Sequence, residues 1–207
     1  MKIDIWSDFA CPFCYIGKKN LEIALKEYNT SEEIDIVFRS FQLDPYAEKG
    51  NRSDVVTSLA QKYGTTKEQA QEMIDKIVEM AKGVGLEYNY KNMIQTNTLD
   101  AHRLVQYAKK LNRDKELIEA LFKAHFVEGL DIGDTDVLVK LSQDAGLDGN
   151  EVINLLNTNK YIDYVEEEMK IAKQLEITSV PFFIIDGKYA LSGAQPPEVF
   201  LQALKQG

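Results

Sequence analysis

The pattern of hydrophobic and polar residues predicts strands near the N-terminal end of the chain. Residues 2–6 and 34–41 alternate between apolar and polar side chains, as half-buried strands do. Between them, Gly17, Leu21 and Ala24 share one face of a predicted helix. A strand, a helix and a second strand in this order indicate a βαβ unit.

The C-terminal end carries a second set of strand signals. Residues 182–185 form a short apolar strand, and Asp186-Gly187 favours a two-residue hairpin turn. The chain is then expected to return as a strand over residues 188–191. Pro196-Pro197 predicts the start of a last helix, because proline fits the first helical turn.

The middle of the chain follows a helical repeat instead. Apolar residues recur there every three or four positions, and no internal repeat or flexible linker interrupts them. Within it, Thr65 and Glu68 have capping-box spacing, and Gly83 is expected to close the helix that follows. We therefore predict an α/β, thioredoxin-like fold formed by residues 1–45 and 162–207, with a large all-helical insertion over residues 46–161.

Composition restricts the classes of partner. The chain has 207 residues, 33 acidic against 24 basic side chains and a formal net charge of −9. Such a surface repels phosphate backbones and anionic lipid, so neither nucleic acid nor a membrane is expected as a partner. The first residues carry acidic side chains where a signal peptide would be apolar, which predicts a cytoplasmic location.

Candidate chemistry is concentrated in the only two cysteines, which stand in the sequence Cys11-Pro12-Phe13-Cys14. A disulfide between them would close too small a loop to stabilise the fold appreciably, so reactivity is the better explanation. Cys11 should lie where the first strand ends and the helix begins, and the helix N-terminus would stabilise its thiolate. Cys14, one turn further on, would resolve a mixed disulfide.

The cysteine pair has two alternative interpretations, a zinc site and a pair of unreactive thiols. A closed zinc site needs four ligands. The only two histidines, His102 and His125, lie too far apart in the sequence for the short spacing of a zinc finger. No metal is therefore expected. Unreactive thiols in a non-catalytic binding module are the other alternative. A dithiol needs no metal or organic cofactor, because the sulfur atoms themselves carry two electrons.

A second signal is Val180-Pro181, directly before the apolar strand. Proline at the start of an interior strand requires special geometry. A cis bond would turn the Val180 backbone towards the thiols, where it could pair with an extended substrate. We predict the cis form, the alternative being a trans proline that begins an edge strand.

The motifs resemble those of a known family. Residues 6–17 (WSDFACPFCYIG) and 180–183 (VPFF), with weaker matches at 97–98, 101–104 and 192–195, resemble the DsbA-like branch of the thioredoxin superfamily. Within it, the chain is most similar to FrnE-like cytoplasmic proteins, which are related to 2-hydroxychromene-2-carboxylate isomerase and kappa-class glutathione transferases.

The resemblance implies a thioredoxin fold with a helical insert and a cis proline at Pro181. It implies thiol–disulfide exchange on protein or small-molecule disulfides, with Cys11 as nucleophile and Cys14 as resolving residue. Five further residues are implied in substrate binding: Pro12, Phe13, Val180, Pro181 and His102. Phe13 replaces the histidine of the periplasmic enzymes and cannot donate a hydrogen bond to a thiolate, which predicts a weaker oxidant.

The related isomerases and transferases imply an alternative function. They usually have serine at the position of Cys11 and bind glutathione, so the presence of both cysteines favours dithiol chemistry. A glutathione-dependent isomerase or transferase acting on a small aromatic substrate remains the alternative. Glutathione or another small thiol could serve as co-substrate, and the protein is expected to be a monomer or a homodimer.

Several other side chains leave more than one interpretation open. His102 lies beside the apolar stripe of its helix, either as a surface residue or, as the resemblance suggests, near Cys11. His125 falls on an apolar face and is expected in the core, whereas Asp8 is either a proton carrier or a solvated acid. Glu166-Glu167-Glu168 is expected to be a solvated helix face, and Phe9, Phe13 and Tyr15 could form an apolar rim.

Overall fold

The computed structural model describes residues 1–206, which contain four strands and nine helices. In chain order the elements are β1 (Lys2–Ser7), α1 (Pro12–Tyr28), β2 (Asp35–Ser40), α2 (Val55–Tyr63), α3 (Lys67–Gly83), α4 (Leu99–Lys109), α5 (Asp114–Phe126), α6 (Thr135–Asp144), α7 (Gly149–Leu156), α8 (Ile162–Gln174), β3 (Phe182–Ile185), β4 (Tyr189–Ser192) and α9 (Pro197–Leu204). No helix within these residues combines the length and apolar character needed to cross a membrane.

The four strands form one mixed sheet in the order β2-β1-β3-β4. β1 pairs in parallel with β2 and antiparallel with β3, and β3 pairs antiparallel with β4. In this register Ile5 lies between Phe38 of β2 and Phe183 of β3. The predicted α/β, thioredoxin-like fold is confirmed, and the four predicted strands agree with the observed ones to within about a residue.

The core of the sheet follows from the alternation along the strands. Ile3 and Ile5 are buried on β1, as are Phe183 and Ile185 on β3. Helix α9 packs against α1, and the Phe200 ring contacts Phe183 edge to face at 4.7 Å between centroids. Burial of these apolar side chains is the main stabilising contribution to this part of the chain.

The chain divides into two compact units. One contains Met1–Leu43 and Glu166–Gly207, and the other contains Asp44–Val165. The first holds the sheet, and the second holds α2 to α7. The predicted division into a discontinuous domain of residues 1–45 and 162–207 and an insertion domain of residues 46–161 stays a prediction.

The helical unit has its own core and its own helix caps. Buried apolar side chains from four helices form the core: Leu104, Leu117, Ile118, Leu121, Phe122, Leu138 and Val152. Asp134 and Asp148 cap α6 and α7 by accepting hydrogen bonds from backbone N–H groups of the first turn. Arg103 is buried and donates to the carbonyl oxygens of Leu155 and Lys160. Arg103, part of the 101–104 motif, therefore ties the end of α7 to α4.

Two local expectations for this unit were wrong. The capping box at α3 is formed by Thr66 and Gln69, one residue later than Thr65 and Glu68, because the helix begins at Lys67. Gly83 is the last residue of α3 and does not cap it; the left-handed glycine is Gly85, with φ of 78°. Between α3 and α4, residues 84–98 contain no helix, and an isolated antiparallel bridge joins Asn51 to Gln95.

Candidate active site

Cys11 occupies the position expected for a reactive thiol. It is the N-cap residue of α1, in an extended conformation with φ of −94° and ψ of 113°, and Pro12 opens the helix. Its N–H donates to the Asp8 carbonyl at 3.1 Å, and its own carbonyl accepts the Cys14 N–H at 3.0 Å. The first turn of α1 contains no acidic side chain, so nothing there offsets the positive end of the helix dipole.

Both cysteines are thiols and both are buried. The exposed fraction is 4% for Cys11 and 2% for Cys14, and no disulfide joins them. A partner therefore has to reach a thiol that is almost fully covered.

The Cys14 sulfur lies against the end of β1. It accepts a hydrogen bond from the Asp8 N–H at 3.4 Å. Burial raises the pKa of the Cys14 thiol well above its ordinary value, and its hydrogen bond and charge interaction with Cys11 act in the same direction. The Ser7 hydroxyl and the Asp8 N–H lower this pKa without cancelling the effect of burial.

The Cys11 sulfur lies against the loop before β3. It donates to the Val180 carbonyl oxygen at 3.4 Å, and the Val180–Pro181 bond is cis, as predicted. The fold thus brings together two motifs from opposite ends of the chain, residues 11–14 and residues 180–181. The structure does not test whether they bind substrate.

A close approach of two elements holds this arrangement. A Cβ atom placed on Gly17 of α1 would lie 3.0 Å from Pro181 Cγ and 3.2 Å from Phe183 Cζ. Contacts this short are tighter than almost all real Cβ contacts, so only glycine fits without displacement. Gly17 therefore lets α1 approach the loop that contacts the Cys11 sulfur.

The apolar residues around the cysteines divide into two groups. Phe9 and Tyr15 are buried, whereas Pro12 and Phe13 are half-buried. The expected apolar rim therefore reduces to Phe13 between the cysteines, because Phe9 and Tyr15 are part of the core.

Asp8 is not a solvated acid. Its side chain is buried, and the two carboxylate oxygens accept hydrogen bonds from the N–H groups of Ala10 at 3.3 Å and Leu43 at 2.7 Å. These bonds compensate for the burial of the carboxylate. A partner 35 residues away in the sequence could not be inferred from local pattern.

The two histidines lie in the helical unit. His102 of α4 is buried, so its interpretation as a surface residue was wrong, and His125 of α5 is buried as expected. The role of His102 in substrate binding stays a prediction.

Glu168 was wrongly expected to be solvated. It is 7% exposed, and its carboxylate accepts from the Ser40 N–H at 2.6 Å and from Arg39 Nη1 at 3.2 Å. Its position three residues after buried Val165 places it on the inner face of α8, which is the signal that could have identified it. Glu168 connects α8 to the end of β2.

Across residues 1–206, no three histidine, cysteine, aspartate or glutamate side chains gather closely enough to hold a metal ion. The described site consists of two sulfur atoms, the backbone groups that contact them and the surrounding apolar side chains. These groups suit thiol–disulfide exchange, which needs only the two sulfurs of the protein.

Comparison with known proteins agrees with this geometry. The family profile described as a DsbA-like thioredoxin domain matches residues 2–205. The Bacillus subtilis protein YwbO is 32% identical over 204 residues, covering 98% of this chain and 94% of its own length. A crystal structure of a probable DsbA oxidoreductase from Streptomyces coelicolor is 41% identical with a TM-score of 0.94, covering all of this chain and 89% of the other.

A more distant structure shares the fold alone. The cytosolic disulfide reductase DsbM from Pseudomonas aeruginosa, solved with GSH, has a TM-score of 0.68 at 15% identity, over all of this chain and 98% of its own. The resemblance drawn from the cysteine motif and the Val180-Pro181 segment is confirmed by the profile match and the closer relatives. The chain belongs to the family of DsbA-like thioredoxin domains.

Proposed function

We propose that this protein is a thiol–disulfide oxidoreductase in which Cys11 is the nucleophile and Cys14 the resolving residue. The observation that carries the proposal is the position of the Cys11 thiol, which caps α1 and lies 3.4 Å from the Val180 carbonyl oxygen. A thiol at a helix N-terminus beside a backbone acceptor can attack a disulfide held along that backbone.

The reaction has two exchanges. The Cys11 thiolate attacks one sulfur of the substrate disulfide, and the other sulfur leaves as a thiol after taking up a proton. The Cys14 sulfur then attacks Cys11, the bond to the substrate breaks, and the proton lost by Cys14 goes to the departing thiol. The substrate is reduced by two electrons and the protein becomes a disulfide, which two molecules of a small thiol such as glutathione can reduce.

The remaining predicted site residues have defined roles in this proposal. Val180 and Pro181 position the partner, and Pro12 and Phe13 contact it beside the thiol. His102 is included on the basis of the family resemblance. No metal or organic cofactor takes part.

The substrates are proposed to be protein or small-molecule disulfides. The 4% exposure of Cys11 favours small disulfides and extended peptide segments over disulfides on rigid, folded surfaces. We propose a cytoplasmic location and glutathione as a co-substrate. The cytosolic disulfide reductase DsbM, which was solved with GSH, has the same fold and supports this proposal.

The test is to trap the first intermediate. Cys14→Ser should accumulate a mixed disulfide between Cys11 and a peptide or glutathione disulfide, detected as a mass increase removed by reductant. Cys11→Ser, the matched control, should form no such adduct at a comparable rate. No adduct on Cys11 with any disulfide would refute the proposal. Full activity of Cys14→Ser on glutathione conjugates of aromatic compounds would favour the isomerase or transferase alternative instead.

A further inference from the structure

A buried hydroxyl at the end of β1 lacks a well-formed hydrogen bond. Ser7 is the last residue of β1 and is 5% exposed, and its Oγ makes no hydrogen bond of ordinary geometry. A buried hydroxyl without a partner is unfavourable, and native structures contain few of them. Its presence beside a pair of reactive cysteines therefore needs an explanation.

Ser7 adjoins the peptide group that contacts the sulfur of Cys14. The N–H that donates to this sulfur at 3.4 Å belongs to the peptide bond joining Ser7 to Asp8, so the sulfur lies against this end of the strand. The Ser7 hydroxyl also acts on Cys14 directly, because it lowers the pKa of the thiol against the effect of burial. A hydroxyl hydrogen can rotate towards an acceptor as soon as one forms.

We propose that Ser7 is a further catalytic residue, whose hydroxyl donates a hydrogen bond to the Cys14 sulfur whenever that sulfur is an anion. The inference rests on the proposed function. In the second exchange Cys14 gives up its proton and its sulfur attacks Cys11; the substrate sulfur leaves and takes up a proton. Ser7 and the Asp8 N–H together form a two-donor pocket that stabilises the anion during this exchange.

The other groups around Cys14 are less suited to this role. Cys11 raises the pKa of Cys14 and so opposes its ionisation, and the Val180 carbonyl that contacts Cys11 is an acceptor. The Asp8 carboxylate is held by the N–H groups of Ala10 and Leu43. Lys18, one turn after Cys14, is paired with Glu22. Ser7 is thus the side-chain donor that acts on this sulfur.

The experiment measures both exchanges in one reaction. Reduced protein is mixed with the chromogenic disulfide dithiobis(nitrobenzoate), which releases one coloured thiolate when Cys11 attacks and a second when Cys14 resolves. In Ser7→Ala the second phase should be about tenfold slower at pH 7, and its rate should reach half-maximum at a higher pH than in the wild type. The first phase should change by less than about twofold.

Two variants make the result specific. Ser7→Thr retains the hydroxyl and should restore the second phase. Ser142→Ala removes a hydroxyl of α6 that is also buried and also lacks a hydrogen bond of ordinary geometry, and it should change neither phase.

The possible failures differ from one another. An unchanged pH profile in Ser7→Ala, equal slowing in Ser7→Ala and Ser7→Thr, or the same slowing in Ser142→Ala would each overturn the role of Ser7. If the wild type gives no first phase, the proposed function itself fails.

Discussion

The close approach of α1 to the loop at Pro181 depends on the absence of a Cβ atom at Gly17. Gly17 has ordinary helical backbone angles, so its value lies in its size and not in conformational freedom. The contact it allows keeps the Val180 carbonyl beside the Cys11 sulfur. At the scale of the residue, the geometry of the site therefore depends on packing as well as on the two cysteines.

Gly17→Ala should damage the site and the fold together. The added methyl would overlap Pro181 and Phe183, and we expect a loss of about 1–3 kcal/mol in the free energy of unfolding together with slower attack by Cys11. Gly83→Ala is the matched control, because a Cβ there meets nothing within 4 Å and should stabilise α3 by about 0.5–1 kcal/mol. Urea denaturation and the chromogenic exchange assay measure both effects; equal behaviour of the two variants would contradict the packing argument.

At the scale of the element, α8 is joined to the sheet by polar groups. The Glu168 carboxylate accepts from Ser40 N–H and Arg39, and its backbone carbonyl accepts from the Trp6 indole at 3.2 Å. Arg39 in turn pairs with Asp4 of β1 at 2.7 Å. One helix is thereby connected to β1 and β2 through a partly buried network of Glu168, Arg39 and Asp4.

Glu168→Ala should lower the free energy of unfolding by about 2–4 kcal/mol, because it leaves a buried N–H without an acceptor and removes one partner of Arg39. Glu167→Ala is the control on the same helix, since Glu167 is exposed and its ion pair with Lys170 lies at the surface. That change should cost less than about 0.5 kcal/mol. Similar losses in the two variants, measured by urea denaturation, would show that the contacts of the Glu168 carboxylate contribute little.

At the scale of the whole molecule, the buried thiol of Cys14 links stability to pH. Its pKa is raised in the folded protein by burial, whereas in the unfolded chain it returns to about 8.5. Below that pH the thiol is protonated in both states, and its contribution to stability is fully present. As the pH rises further, the unfolded chain loses the proton first, so stability falls until the pH passes the folded-state pKa.

The reduced protein should therefore lose stability above about pH 8.5 more steeply than Cys14→Ser does. Denaturant titrations of both proteins between about pH 7 and pH 10, in the presence of reductant, measure this difference. The titrations of tyrosine and lysine side chains are common to both proteins and cancel in the comparison. Parallel stability curves across this range would contradict a raised pKa for Cys14.

Much of the fold could be predicted because its signals are local. Alternation over residues 2–6 and 34–41, the Asp186-Gly187 turn and the prolines before α9 each reflect physical preferences acting within a few residues. The cysteine spacing likewise places two sulfurs on the first turn of a helix. These features required no knowledge of the rest of the chain.

The amino-acid sequence by itself determined most of the strands and helices and the placement of Cys11 and Cys14 on one helical turn, since backbone preference and short spacing set them. Only the tertiary structure decided which polar side chains are buried and what they contact. Asp8 meets Leu43, and Glu168 meets Ser40, across 35 and 128 residues of sequence. A charge is tolerated inside a protein only where distant hydrogen-bond partners converge on it, and such convergence is a property of the folded chain.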